Sequence, residues 1–97
     1  MYYSIAIEPP STPSECFGVI VPDLPGCFSA GDSIDDAIKS SCEAIYLHLD
    51  GISDDGEEIP LAKIVSDHAN NPDFQGMIWA LVDIDLSKYD VKAIKST

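Results

Sequence analysis

The side chains here that could do chemistry are the carboxylates, two histidines, three cysteines and a scatter of hydroxyls. Metal-assisted phosphoryl transfer would need several carboxylates converging on two ions about 4 Å apart. An early strand offers only Glu8, at its very end, behind a centre of Ser4-Ile5-Ala6-Ile7. Asp83 and Asp85 alternate at the exposed end of a late strand, where acidic residues ordinarily solubilise. Asp54-Asp55-Gly56-Glu57-Glu58 lacks the ligand spacing of a calcium loop and reads as a solvated turn. His48 and His68 border apolar helical stripes without a paired nucleophile, so both read as core or boundary side chains. Ser40-Ser41-Cys42 falls inside a helix and lacks the flanking glycines of a nucleophile elbow. Cys16, Cys27 and Cys42 show neither C-x-x-C spacing nor adjacent histidines, which favours reduced thiols over zinc ligation. These patterns predict no enzyme, no metal site and no cofactor.

The elements that would hold these residues are clearest between Val21 and Ile38. Leu24-Pro25-Gly26-Cys27 has the type II turn pattern, with Pro presetting a negative φ and Gly taking the positive φ that follows. The flanking apolar runs, about Cys16 to Val21 and Cys27 to Ala30, should pair as a hairpin. Cys16 would then face Gly31 to Ser33 rather than Cys27, which disfavours a disulfide. Gly31-Asp32 ends the second run, and Ser33-Ile34-Asp35-Asp36 has the form of a helix N-cap. From there Ile34, Ala37, Ile38, Ser41, Cys42, Ile45 and Leu49 make one apolar stripe, with Gly51 as the expected stop. Asp35, Asp36, Lys39, Glu43 and Asp50 lie on the opposite face, the first two where the helix dipole favours anions.

Upstream, Tyr3, Ile5 and Ile7 alternate with Tyr2, Ser4, Ala6 and Glu8, predicting a half-buried first strand closed by Pro9-Pro10. Downstream, Leu61, Ile64, Val65 and His68 suggest a short second helix ending at Asn70-Asn71-Pro72. The run Met77 to Leu86 predicts a last strand. Its first half is apolar on both faces, which fits an interior strand or one whose outer face meets a partner. Trp79 suits either the core or an interface anchor. The expected fold is α+β: an antiparallel three-stranded meander plus a further strand, the main helix on one face, and a short second helix, in the order β-β-β-α-α-β.

Ninety-seven residues suit one domain. Seventeen acids against five lysines and no arginine give a formal charge of -12, which repels nucleic acid and suits a basic partner or plain solubility. Residues 1–86 hold 16 of the acids and two lysines, whereas 87–97 carry three lysines against Asp90. No apolar run approaches the ~20 residues of a membrane span, and no secretory signal opens the chain, so a cytoplasmic, non-membrane protein is expected.

The string Pro22-Asp23-Leu24-Pro25-Gly26-Cys27-Phe28-Ser29-Ala30-Gly31-Asp32, capped by Ser33, follows a strand opening Met1-Tyr2-Tyr3. It precedes Ile59-Pro60-Leu61 and Trp79 to Asp85, and in this order the chain resembles the N-terminal domain of the HicB antitoxins over roughly residues 1–90. The resemblance implies a partial ribonuclease-H-like domain that silences a small, basic, RNA-cleaving HicA-type toxin, in a chain expected to form homo-oligomers. It assigns Pro22, Asp23, Pro25, Gly26, Gly31, Asp32 and Ser33 to the structural motif. The candidate toxin-binding residues are Asp35, Asp36, Glu43, Trp79, Asp83 and Asp85. Family members usually continue into a DNA-binding module, so residues 91–97 are expected to be a tail or the start of a linker. The other reading is a stand-alone HicB-like binding module without a toxin.

Overall fold

The alternation of Tyr3, Ile5 and Ile7 becomes β1 (Tyr2–Glu8), the strand around which the rest is arranged in this computed structural model, which describes residues 1–89. β2 (Phe17–Ile20) and β3 (Phe28–Gly31) follow as an antiparallel meander, and β4 (Ile78–Asp83) adds antiparallel to the other side of β1. The spatial order is β3-β2-β1-β4. Helix α1 (Ile34–Asp54) lies on the face carrying Tyr3, Ile5, Ile7, Val19 and Val82, and buries Ala37, Ile45 and Leu49 against them. The expected 91–97 tail lies outside the described residues.

The expected turn is present. The Cys27 amide donates to the Leu24 carbonyl at 3.0 Å and Gly26 has φ +86°, as the third position of a type II turn requires. β3 then enters α1 through Ser33, whose hydroxyl accepts the Asp36 amide at 3.1 Å. Gly31 permits a close approach here: a Cβ on it would stand within 2.7 Å of Ala37 Cα and the Asp36 carbonyl carbon.

Three expectations need correcting. Gly51 does not stop the helix, which continues to Asp54. Gly56, at φ +73°, is the residue that ends it: its amide donates to the Ser53 carbonyl and the Glu57 amide to the Ile52 carbonyl, both at 3.0 Å. That is the Schellman arrangement, and it needs a left-handed residue one place past the cap. Ile34, counted in the apolar stripe, is 38% exposed. The short second helix is reduced to single 3-10 turns at Val65–Asp67 and Pro72–Phe74. Helix formation around residues 60–63 would need backbone groups that the body of the protein claims instead: the Tyr3 hydroxyl donates to the Pro60 carbonyl, the Ser4 hydroxyl donates to the Lys63 carbonyl, and the Lys63 amide donates to Asp23.

That claimed segment changes the sheet. Ser4 and Ala6 point away from α1, yet both are fully buried: the Ser4 hydroxyl meets the Lys63 carbonyl, and His68 and Phe74 pack on Trp79, which lies opposite Ala6. Nor is β4 interior. It is an edge strand, its ladder running from Tyr2↔Asp83 to Ile7↔Ile78 on one side only.

Candidate functional site

Asp23 organises the face of the sheet opposite α1. The motif turn carries it inward, and its side chain is 3% exposed. One carboxylate oxygen accepts the Lys63 amide at 2.8 Å; the other meets His68 Nε2, also at 2.8 Å. His68 in turn stacks on Trp79, ring centroids 6.3 Å apart and 17° from parallel, and Phe74 meets both rings edge-on. A single carboxylate thus ties the covering segment at Lys63 and His68, and the aromatic trio seats it on β4. Burial, with the nearby Asp23 carboxylate adding to it, pushes the Tyr3 phenol up to about 12, so Tyr3 stays a neutral donor to Pro60. An open cleft of about 660 Å³ lies where the turn meets this segment, with Asp23 and His68 in its wall.

The candidate residues separate onto different surfaces. Asp35, Asp36 and Glu43 are exposed on α1, on one side of the sheet. Trp79 is half-buried and occupied with His68 and Phe74. Asp83 is exposed at the end of β4, opposite Tyr2. Asp85 lies past the strand, where the Ser87 hydroxyl first, and then the Ser87 amide donating at 2.9 Å, hold its carboxylate below the usual range. Glu8 and Asp83 sit at opposite ends of the β1–β4 ladder, roughly 20 Å apart at about 3.4 Å per residue. Among the described residues no cluster of three or more His, Cys, Asp or Glu side chains could hold a metal ion. All three cysteines are free, and Cys16 faces Asp32 at 3.5 Å, as the hairpin register requires. That acceptor carboxylate pushes the Cys16 thiol up, and burial does the same for Cys27. Of the motif residues, Gly26 makes the turn and Ser33 the cap. Gly31 makes the close approach, and Asp23 makes the tie.

In the sequence Asp23 is one residue of the family motif, and its partner His68, 45 positions away, reads as a core or boundary side chain. Nothing local links them. The described residues combine an acidic composition with exposed apolar side chains such as Tyr2, Ile64 and Leu81.

A family model described as the HicB-like antitoxin of bacterial toxin-antitoxin systems matches residues 3–96. The chain belongs to this family. A relative from Haemophilus phage HP1, an uncharacterised 14.9 kDa protein of the rep-hol intergenic region, is 39% identical over 95 residues, covering 98% of this chain and 69% of its own. The crystal structure of the N-terminal domain of the Burkholderia pseudomallei antitoxin HicB is 38% identical with a TM-score of 0.77, over 89% of this chain and all of that one. A chain of the HicA3 and HicB3 toxin-antitoxin complex is 31% identical with a TM-score of 0.74, over 88% of this chain and 99% of that one. The α+β fold is therefore that of a HicB N-terminal domain, and among the described residues no helix is long and apolar enough to cross a membrane.

Proposed function

We propose that this chain is a toxin-neutralising antitoxin that binds a basic, mRNA-cleaving HicA-type toxin and keeps RNA from its active site by occlusion. The observation that carries this reading is the match, over nearly the whole domain, to a chain of a HicA and HicB complex. The charge supports it: 16 acids and two lysines in residues 1–86 complement an RNA-binding surface, which must itself be basic. Neutralisation then needs no catalysis by the antitoxin. In this reading it acts in the cytoplasm, assembles as a homo-oligomer, and represses its own operon only where a DNA-binding segment accompanies it.

Charge of this size should set the encounter rate more than the final affinity. The association rate with the cognate toxin should therefore fall at least about tenfold as ionic strength rises from 0.01 M to 0.15 M, because the Debye length shrinks from about 30 Å to about 8 Å. Stopped-flow mixing measures it. An association rate indifferent to salt would mean that the acidic surface serves solubility and not recognition.

A further inference from the structure

β4 ends the sheet, and among the described residues its outer edge meets no other backbone. Free edges are ordinarily blunted by lysine, proline, a bulge or very short length. β4 has none of these: its six residues, Ile78-Trp79-Ala80-Leu81-Val82-Asp83, pair with β1 in unbroken register. The other edge, β3, is four residues long and is held at its end by the close packing of Gly31 on α1.

Large apolar side chains flank the free edge. Leu81, 55% exposed, lies opposite Ser4, whose hydroxyl holds the Lys63 carbonyl, and the next residue, Ile64, is 68% exposed. Tyr2, 60% exposed, is two places from Ser4 on the same face. Cross-strand and diagonal neighbours stand within about 5 to 8 Å, so Tyr2 and Leu81 share one face of the edge, and the Ser4–Lys63 bond brings the chain at Ile64 to the same face. Charge selects the occupant. Residues 1–86 carry 16 acids against two lysines, so the chain as a whole attracts a basic partner more than a second acidic copy, while the Asp83 carboxylate at the strand end already lies 3.5 Å from the Met1 ammonium.

We propose that the free edge of β4, with Tyr2, Ile64 and Leu81 beside it, receives an extended segment of a basic partner protein as a fifth strand. This rests on the antitoxin reading and names the surface that would hold the toxin. Backbone pairing supplies the hold in such strand addition, and the flanking apolar side chains supply selectivity.

Amide hydrogen exchange followed by NMR on the full chain, alone and with an equimolar, catalytically inactivated cognate toxin, tests it. The outward amides of β4 should exchange freely in the dilute chain and slow at least about tenfold in the complex. Leu81→Lys, an exposed change on the patch, should leave the melting temperature unchanged and weaken toxin binding at least about tenfold. A triple change of Asp35, Asp36 and Glu43 to Lys, on the opposite side of the sheet, should leave the β4 protection in place. Protection in the dilute chain alone would mean that residues 90–97 cover the edge. Protection growing with the chain's own concentration would mean a second copy, and either result overturns the proposal. Toxin bound with β4 unprotected, or with full affinity for Leu81→Lys, overturns the surface and leaves the antitoxin reading standing. No toxin binding at all overturns both.

Discussion

Gly31→Ala is expected to cost about 3 kcal/mol of stability, at the upper end of what overpacking a tight contact costs. The added methyl would lie within 2.7 Å of Ala37 Cα and the Asp36 carbonyl carbon, which are backbone atoms of the first helical turn and cannot rotate away. Either β3 leaves β2 or α1 lifts from the sheet, and lifting α1 would also disturb the Ser33 cap and the burial of Ala37. For a domain of this size each kcal/mol moves the melting temperature by about 4 to 8 °C, so a fall of roughly 12 to 24 °C is expected in a circular-dichroism melt. Gly51→Ala is the control. A Cβ there meets nothing within 4 Å, and the position is helical, so stability should hold or rise slightly. A Gly31→Ala protein that melts within about 3 °C of the parent would mean that the strand and helix pack less closely than described.

The second large effect is expected at Asp23. Asp23→Ala strips the Lys63 amide and His68 Nε2 of their acceptor in a nearly closed environment, and each orphaned group costs about 1 to 3 kcal/mol. A total near 3 kcal/mol should come with a local signature. The covering segment loosens, the Lys63 amide loses exchange protection, and Trp79 fluorescence shifts to the red as His68 leaves its ring. Asp23→Asn keeps a carbonyl oxygen for the Lys63 amide and offers an amide to an unprotonated His68 nitrogen, so it should retain most of the stability and the parent emission. If Asp23→Ala lowers stability while leaving Lys63 exchange and Trp79 emission unchanged, the carboxylate is not what ties this segment down.

These two positions show what the sequence could and could not reveal. Gly31 and Asp23 stand in the same motif, and the turn, the cap and the hairpin register could be read there because each depends on residues a few places apart. Gly26 with Pro25, and Ser33 with Asp36, carry their geometry locally. The role of Asp23 depends on Lys63 and His68, 40 and 45 positions away, and no periodicity records such a bond. The same bond network explains why a helix was expected where single turns occur, and why Ser4 and Ala6, alternating as outward residues, are fully buried. The helix stop was misplaced for a smaller reason. Gly51 and Gly56 both qualify on type, and only the positive φ of Gly56 separates them. The acidic candidates were visible as charge, but their distribution over two sides of the sheet, with Asp83 beside an open strand edge and Asp35, Asp36 and Glu43 on α1, follows from the order β3-β2-β1-β4.

The most direct test of the antitoxin reading is RNA cleavage by the cognate HicA-type toxin, with the folded chain titrated in at physiological ionic strength. Occlusion by a tight complex predicts that cleavage falls in proportion to added chain and ceases near equimolar, with the RNA itself unbound by this acidic protein. Undiminished cleavage at a several-fold excess of folded chain would contradict the account.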